Sequence, residues 1–219
     1  MIILDFGSGE TCQNSWATAK RMIDELAYVD SRRHQVVIKW QLFTKVELPP
    51  DVVHSGQSGG ATELKALNRG LFRTAYEYAF NEYCYLTAAS VFDEDSLKFL
   101  LQFKVPFVKF ATRPDLYWMT EYLSKKIIPK VLVSIPDTRE VPQGMIPLYS
   151  VREYPAKAID YMHKFGRNLT LGISDHTEGF WLWHKYQPAF YETHFKLEDS
   201  IGLDNGPWAK TPEMLKEVL

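Results

Sequence analysis

The feature that most constrains this chain is a regular alternation of short β-rich runs with longer helical runs. Eight of the short runs predict β-strands, at residues 2–7, 36–42, 83–89, 107–112, 130–135, 145–150, 169–174 and 190–195. Several of them are apolar on both faces, as in the run Val-Leu-Val-Ser-Ile at 131–135. Strands of this kind are typical of a parallel sheet that is covered by helices on both sides.

Helical patterns fill the intervals between these strands. Apolar residues recur at helical spacing over 17–28 and 64–80, acidic residues open a helix at Asp93, and another helix begins at Pro155, runs to residue 163 and ends at Gly166. Eight strands alternating with helices predict a single (β/α)8 TIM-barrel domain over residues 1–219. A doubly wound sheet would give the same alternation and is the alternative fold.

The chain is shorter than the usual barrel of about 250 residues, so parts of the barrel must be reduced. The link from Ser134 to Met145 is too short for a full helix, and the last helix has room only from Pro212 to Leu219. We therefore expect a barrel trimmed in helices 5 and 8.

The net charge and the cysteine content limit the binding partners and the cellular compartment that we expect. The formal net charge of -2 gives no electrostatic reason to expect nucleic-acid binding. The sequence has no apolar run near the ~20 residues of a membrane helix and no signal peptide at its start. The two cysteines, Cys12 and Cys84, form neither a metal-binding pair nor a disulfide framework, so we expect a cytoplasmic protein.

Polar residues lie where the predicted strands end, which is where the chemistry of such barrels takes place. The strand ends carry Asp5, Lys39, Ser90, Lys109, Thr112, Ser134, Arg152, Tyr154, Ser174, His176, Glu192 and His194. A lysine within an apolar strand is costly to bury without an anionic partner, so Lys39 and Lys109 suggest a bound anion. Hydroxyl groups beside lysines suit a phosphate.

Two histidines lie close to the C-terminal ends of the last two predicted strands, and each has an acidic residue nearby in the sequence. Neutral imidazole is the commonest transition-metal ligand, so His176 and His194 are candidate ligands of one shared divalent ion. A single histidine in a strand is more often a satisfied core residue, and the pairing is what favours a metal.

Several motifs together resemble the sialic acid (N-acetylneuraminate) synthase family. The runs Gly-Ile-Ser-Asp-His-Thr-Glu-Gly at 172–179 and Glu-Thr-His-Phe-Lys-Leu-Glu at 192–198 are similar to the last two strands of the family's barrel. Weaker, collinear matches are Ile-Lys-Trp-Gln-Leu-Phe at 38–43, the strand at 105–112, and Tyr-Pro at 154–155. The resemblance extends over nearly the whole chain.

The resemblance implies a condensation of phosphoenolpyruvate with an N-acetylated aldose such as N-acetylmannosamine, with release of phosphate and with Mn2+ or Mg2+ as cofactor. Carried over by position, it implies His176 and His194 as metal ligands. It implies a phosphoenolpyruvate site of Lys39, Ser90, Lys109, Thr112, Ser134, Arg152 and Ser174, with Asp5, Tyr154 and Asp204 facing the sugar and Glu192 and Asp5 as catalytic residues.

The chain also departs from the family pattern. Asp5 replaces a family Glu, Arg152 replaces an Asn, and the C-terminal antifreeze-like domain that lends an arginine to the partner's sugar site has no counterpart up to Leu219. A homodimer would then form through an exposed face of the barrel. Two alternatives remain open, a non-catalytic barrel that binds a ligand or partner, and a related 3-deoxy-sugar-acid synthase with a different acceptor.

Overall fold

The computed structural model describes residues 1–31, 35–44, 65–123, 130–138, 141–201 and 204–219. Among these residues, eight strands follow one another along the chain. They are β1 (Ile2–Asp5), β2 (Val36–Leu42), β3 (Leu86–Val91), β4 (Phe107–Phe110), β5 (Lys130–Ile135), β6 (Ile146–Ser150), β7 (Gly172–Asp175) and β8 (Phe190–His194).

All eight strands are parallel, and each pairs with the next in sequence order. β8 then pairs with β1, which closes the sheet into a barrel without free edges. The closure excludes the doubly wound alternative, because an open sheet would leave two edge strands. The predicted (β/α)8 TIM barrel is therefore confirmed.

Six α-helices of very different lengths lie among the described residues. They are α1 (Trp16–Val29), α2 (Arg69–Tyr83), α3 (Glu94–Leu100), α4 (Ala158–Phe165), α5 (Trp181–Tyr186) and α6 (Pro212–Leu215). The first three begin at side-chain caps, since Ser15, Asn68 and Asp93 each accept a hydrogen bond from a backbone N–H of the first turn.

The reduced helices fall where the sequence predicts them. None of the described residues between β5 and β6 is α-helical, and α6 has only four residues. One further reduction was not predicted, because a 3-10 helix over Pro114–Tyr122 follows β4 in place of an α-helix.

Two predicted strands begin too early in the sequence. The third, predicted from residue 83, starts at Leu86, because α2 continues to Tyr83 and Cys84 then ends it in the left-handed conformation. The seventh, predicted from residue 169, starts at Gly172, because residues 166–170 form a 3-10 helix. Hydrophobicity alone does not separate a helix end from the strand that follows it.

The core has two parts. The larger lies between the strands and the surrounding helices, and a smaller cluster inside the barrel consists of Ile3, Val37, Ala88, Phe107, Leu132 and Leu148. Because side chains alternate in a strand, the residue two positions after each of these also points into the barrel. Those next residues are all polar, so the barrel interior changes from apolar to polar toward the strands' C-terminal ends.

Among the described residues, no helix combines the length and the apolar character needed to cross a membrane.

Candidate active site

Each of the eight strands contributes one buried polar residue to a layer near the C-terminal end of the barrel. Six of them follow the apolar interior cluster by two positions, and β7 and β8 contribute equivalent residues. The layer consists of Asp5, Lys39, Ser90, Lys109, Ser134, Ser150, Ser174 and Glu192, and none is more than 5% exposed. Seven of the eight are among the predicted site residues, and Ser150 is the one that sequence reasoning missed.

Lys39, on β2, contacts polar groups of the strands on either side, β1 and β3. Its ammonium Nζ is 2.6 Å from Oδ2 of Asp5 and donates a hydrogen bond of 2.8 Å to Oγ of Ser90. The amide of Gln41 donates to the same Asp5 oxygen at 3.0 Å, while the N–H of Gly7 donates to the other carboxylate oxygen. The neighbouring strand β2 therefore supplies two of the three donors to the Asp5 carboxylate.

Glu192, on β8, contacts polar groups of β4 and β7. Its Oε1 is 2.8 Å from Nζ of Lys109 on β4 and accepts a hydrogen bond of 2.8 Å from Ser174. Its second oxygen, Oε2, lies 3.6 Å from Nζ of Lys39 and has no hydrogen bond. Glu192 thus connects the two lysines across the barrel.

Burial and charge act against each other on these four ionisable groups. Burial alone would raise the pKa of Asp5 and of Glu192, but the neighbouring lysines outweigh it and the pKa of each carboxylate is lowered. For Lys39, the attraction of Asp5 and Glu192 overcomes burial and the pKa is raised. For Lys109, burial is the stronger effect, and its pKa is lowered despite Glu192.

The ion pairs of Lys39 and Lys109 weaken the inference that these buried lysines bind an external anion. Lys39 and Lys109 already have carboxylate partners within the chain, so their burial does not by itself require an external anion. Two buried oxygens in the layer still lack hydrogen bonds, namely Oγ of Ser134 and Oε2 of Glu192. Buried polar atoms of this kind need an explanation, and a polar ligand would satisfy them.

His176 follows β7 and is held in one orientation by its surroundings. Its Nδ1 lies 2.6 Å from the carbonyl oxygen of Val151, which can only accept, so Nδ1 carries the proton. Nε2 is then the lone-pair nitrogen, and the hydroxyl of Tyr154 is 3.1 Å from it. The ring of Tyr154 stacks on the imidazole with centroids 4.0 Å apart.

His194, at the end of β8, is oriented by a carboxylate. Its Nδ1 is 2.7 Å from Oδ1 of Asp204, and the other oxygen of Asp204 accepts a hydrogen bond of 2.7 Å from Thr11. The approach is close, because a Cβ added at Gly7 would lie 2.4 Å from Asp204 and 2.0 Å from Thr11. Asp204, predicted to face a sugar, has its two carboxylate oxygens on His194 and Thr11.

The two imidazoles have an arrangement that suits a metal. Their ring centroids are 5.5 Å apart, and in each ring an oxygen atom lies 2.6–2.7 Å from Nδ1, which leaves Nε2 as the ligand nitrogen. The donor set therefore fits one divalent ion with two protein ligands. Within the described part of the chain, no group of three or more His, Cys, Asp and Glu residues is placed to hold a metal.

The two histidines differ in their preferred charge. Burial, followed by the charge of His194, holds the pKa of His176 well below its ordinary value. Burial also acts to lower the pKa of His194, but the carboxylate of Asp204 outweighs it and the pKa is raised.

Two predicted residues lie at the rim and not in the buried layer. Thr112 is partly exposed just beyond β4, and Arg152 is exposed in the loop after β6. Nη2 of Arg152 donates to the carbonyl oxygen of Thr112 at 3.3 Å, so the two loops are in contact.

Sequence reasoning missed several residues that support the site. Ser150 had a usable signal, since it follows the interior residue Leu148 by two positions, as Ser134 follows Leu132. Thr11 had no such signal, because it lies in a loop and meets Asp204 only through the fold. Tyr161 on α4 was also missed, although its hydroxyl donates to the carbonyl of Ser174 at 2.6 Å and accepts from the N–H of His176 at 3.1 Å.

Solved structures with the same architecture cover nearly all of this chain. An N-acetylneuraminic acid (sialic acid) synthetase from Leptospira borgpetersenii serovar Hardjo-bovis superposes with a TM-score of 0.68 and 20% identity, over 99% of this chain and 80% of that one. The chain has the fold of a sialic acid synthase barrel. At this identity the similarity extends to the fold alone.

Two other structures widen the comparison. Spore coat polysaccharide biosynthesis protein E from Chromobacterium violaceum gives a TM-score of 0.71 at 15% identity, over 99% of this chain and 71% of that one. A truncated 3-deoxy-D-arabino-heptulosonate 7-phosphate synthase from Thermotoga maritima gives a TM-score of 0.58 at 11% identity, over 99% of this chain and 83% of that one. No family model and no curated protein matches the sequence.

Proposed function

We propose that this chain is a metal-dependent synthase that condenses phosphoenolpyruvate with an N-acetylated aldose, such as N-acetylmannosamine, to form a nonulosonic acid and release phosphate. The observation that carries the proposal is the buried polar layer next to the two oriented imidazoles. Two lysines and several hydroxyls lie within one barrel mouth beside two imidazoles whose Nδ1 atoms each face an oxygen atom. The sialic acid synthetase fold supports the choice of reaction.

In the proposed reaction the lysines bind the anionic substrate. Lys39 and Lys109 hold the carboxylate and phosphate of phosphoenolpyruvate, and the unpaired hydroxyl of Ser134 donates to one of their oxygens. Because both lysines are paired with Asp5 and Glu192, binding requires each ammonium to share its hydrogen bonds with the incoming oxygens. A strongly anionic ligand favours that exchange.

The histidines and their partners arrange the acceptor. His176 and His194 would hold the divalent ion, Mn2+ or Mg2+, which would supply Lewis-acid polarisation of the aldehyde when bound. Carbon 3 of phosphoenolpyruvate forms the new bond to the aldehyde carbon, whose oxygen takes up a proton, and addition of water then releases phosphate. Tyr154 lies against His176 on the acceptor side, and Asp204 keeps His194 oriented.

The test is a phosphate-release assay with Mn2+ and phosphoenolpyruvate, in the presence and absence of N-acetylmannosamine. We expect release that depends on the sugar and that is lost in His176→Ala and His194→Ala. His163→Ala is the matched control, because His163 is exposed on α4 and should leave the rate unchanged. Wild-type rates in both site variants would overturn the metal assignment, and no release with any of a panel of aldoses would overturn the reaction.

One observation favours a different acceptor. Arg152, at the rim beside Thr112, adds a positive charge at the mouth of the barrel, and a heptulosonate phosphate synthase has the same fold. A related 3-deoxy-sugar-acid synthase would use this charge for an anionic acceptor. Faster phosphate release with a phosphorylated aldose than with N-acetylmannosamine, and loss of that preference in Arg152→Gln, would support this second function.

Another observation favours binding without catalysis. Both buried lysines are neutralised by Asp5 and Glu192, which a purely structural barrel would also retain. Binding of phosphoenolpyruvate by calorimetry, without turnover on any aldose, would support this reading.

A further inference from the structure

Lys210 is a fully buried lysine outside the polar layer, and no step of the proposed reaction uses it. It lies in the segment after β8 and pairs with the end of that strand as an isolated parallel bridge to Phe195. Its N–H donates to the carbonyl of His194 at 2.8 Å, and its carbonyl accepts from the N–H of Lys196 at 3.0 Å. The backbone of Lys210 is therefore attached directly to one of the two candidate metal ligands.

The side chain of Lys210 extends the other way, toward the end of β7. Its ammonium donates to the carbonyl of Thr177, the residue after His176, and to the carbonyl of Trp208 at 3.2 Å. The Nζ atom also lies 5.5 Å from the ring centroid of Phe180, within the range of a cation–π contact. A buried ammonium is strongly held by such partners, because leaving them would expose an unpaired charge to an apolar interior.

Lys210 thus connects the two strand ends that carry the histidines. We propose that Lys210 is a positioning residue, which fixes the separation and angle of the His176 and His194 imidazoles through its bonds to the carbonyls of Thr177 and His194. The proposal extends the assignment of the two histidines as metal ligands and rests on it in part. An apolar side chain of equal length would fill the same space but could not bond to the carbonyl of Thr177.

The expected consequence is a weaker and less defined metal site in a folded protein. Removing groups that orient metal ligands typically lowers metal affinity by about 10- to 100-fold. Since Lys210 acts on the backbone beside a ligand and not on a ligand nitrogen, we expect the lower end, about 10-fold.

The experiment measures Mn2+ binding to the full chain by electron paramagnetic resonance of free Mn2+, with no substrate present. In Lys210→Met we expect the Kd for Mn2+ to rise about 10-fold, with circular dichroism unchanged. Lys196→Met is the matched control, because the ammonium of Lys196 reaches the same segment at Asn205, 3.3 Å away, but not Thr177. An unchanged Kd in Lys210→Met, or an equal rise in Lys196→Met, would overturn the proposal.

A second control separates positioning from a general loss of stability. The hydroxyl of Tyr85 donates to Asp30 at 2.9 Å before β3, at the opposite end of the barrel, so Tyr85→Phe destabilises the protein without touching the site. Its Kd for Mn2+ should equal that of the wild type. If Tyr85→Phe weakens Mn2+ binding as much as Lys210→Met, the role of Lys210 is only structural and the proposal fails.

The inference can fail separately from the proposed function. If the wild type binds no Mn2+, the metal assignment is wrong, and a crystal structure of metal-free Lys210→Met decides the inference. A change of about 1 Å or more in the 5.5 Å ring separation supports it, and an unchanged separation overturns it. Should Lys210→Met not fold, Lys210→Arg keeps the charge but moves the donors, and the same rise in Kd is expected with the same controls.

Discussion

Replacing Lys39 with methionine should strongly destabilise the barrel, because it leaves two buried carboxylates with too little positive charge. Lys39 and Asp5 are 1% and 4% exposed, and their charged atoms are 2.6 Å apart. Breaking a buried ion pair from one side costs about 3–5 kcal/mol. In a protein of this size each kcal/mol lowers the melting temperature by about 2–4 °C, which gives a drop of about 6–20 °C.

The remaining partners limit the loss without removing it. Asp5 keeps the donors of Gln41 and Gly7, and Glu192 keeps Lys109. We therefore expect a folded variant whose urea unfolding midpoint is clearly lower at pH 7, since a total stability of about 5–15 kcal/mol exceeds the expected loss.

A double variant tests the cause of this loss. Lys39→Met combined with Asp5→Asn removes both charges of the pair, and replacing a buried pair by neutral groups is often close to neutral. The double variant should therefore recover about 1–3 kcal/mol relative to Lys39→Met alone. Lys98→Met is the control, because its ion pair with Glu94 is on the surface and the unfolding midpoint should not change. A loss below about 1 kcal/mol in Lys39→Met, or no recovery in the double variant, would refute the reasoning.

Three further predictions concern pH, the loop after β1 and the support of β7. The folded-state pKa of Asp5 and of Glu192 is lowered, so their contribution to stability is complete above about pH 4 and is lost as pH falls through the folded-state values. The urea unfolding midpoint should therefore decrease from pH 7 to pH 3, and the decrease should be smaller in Asp5→Asn. Gly7→Ala should lower both stability and Mn2+ affinity, since its φ is +72° and the new Cβ would displace Asp204; unchanged Mn2+ binding would contradict the geometry. Tyr161→Phe removes a buried hydroxyl with two backbone partners and should cost about 1–3 kcal/mol in urea unfolding, and a loss near zero would show that water replaces it.

Much of the fold was predictable because it depends on local pattern. The alternation of strands and helices, the acidic start at Asp93 and the stop at Gly166 are properties of short segments, and the structure confirms them. The 3-10 helix after β4 was not predictable, because propensities barely separate it from an α-helix. The early start assigned to β7 has a similar cause, since Leu169 is as apolar as a strand residue but lies in a 3-10 turn.

The candidate site, like the fold, could be predicted from the sequence only in part. The period of two along each strand places Lys39, Lys109 and Glu192 in one layer, and this could be read from the sequence. The pairing of these residues could not, because β4 and β8 are far apart in the chain and meet only across a closed barrel.

The sequence by itself therefore determined which residue types line the barrel mouth, because alternation within a strand is a local geometric rule. Only the tertiary structure decided what each of them contacts. It gave the buried lysines carboxylate partners, placed Asp204 beside His194, and connected Lys210 to the segments that carry the two histidines. These contacts depend on the closure of the barrel and on loops that have no periodicity, so no pattern in the sequence could specify them.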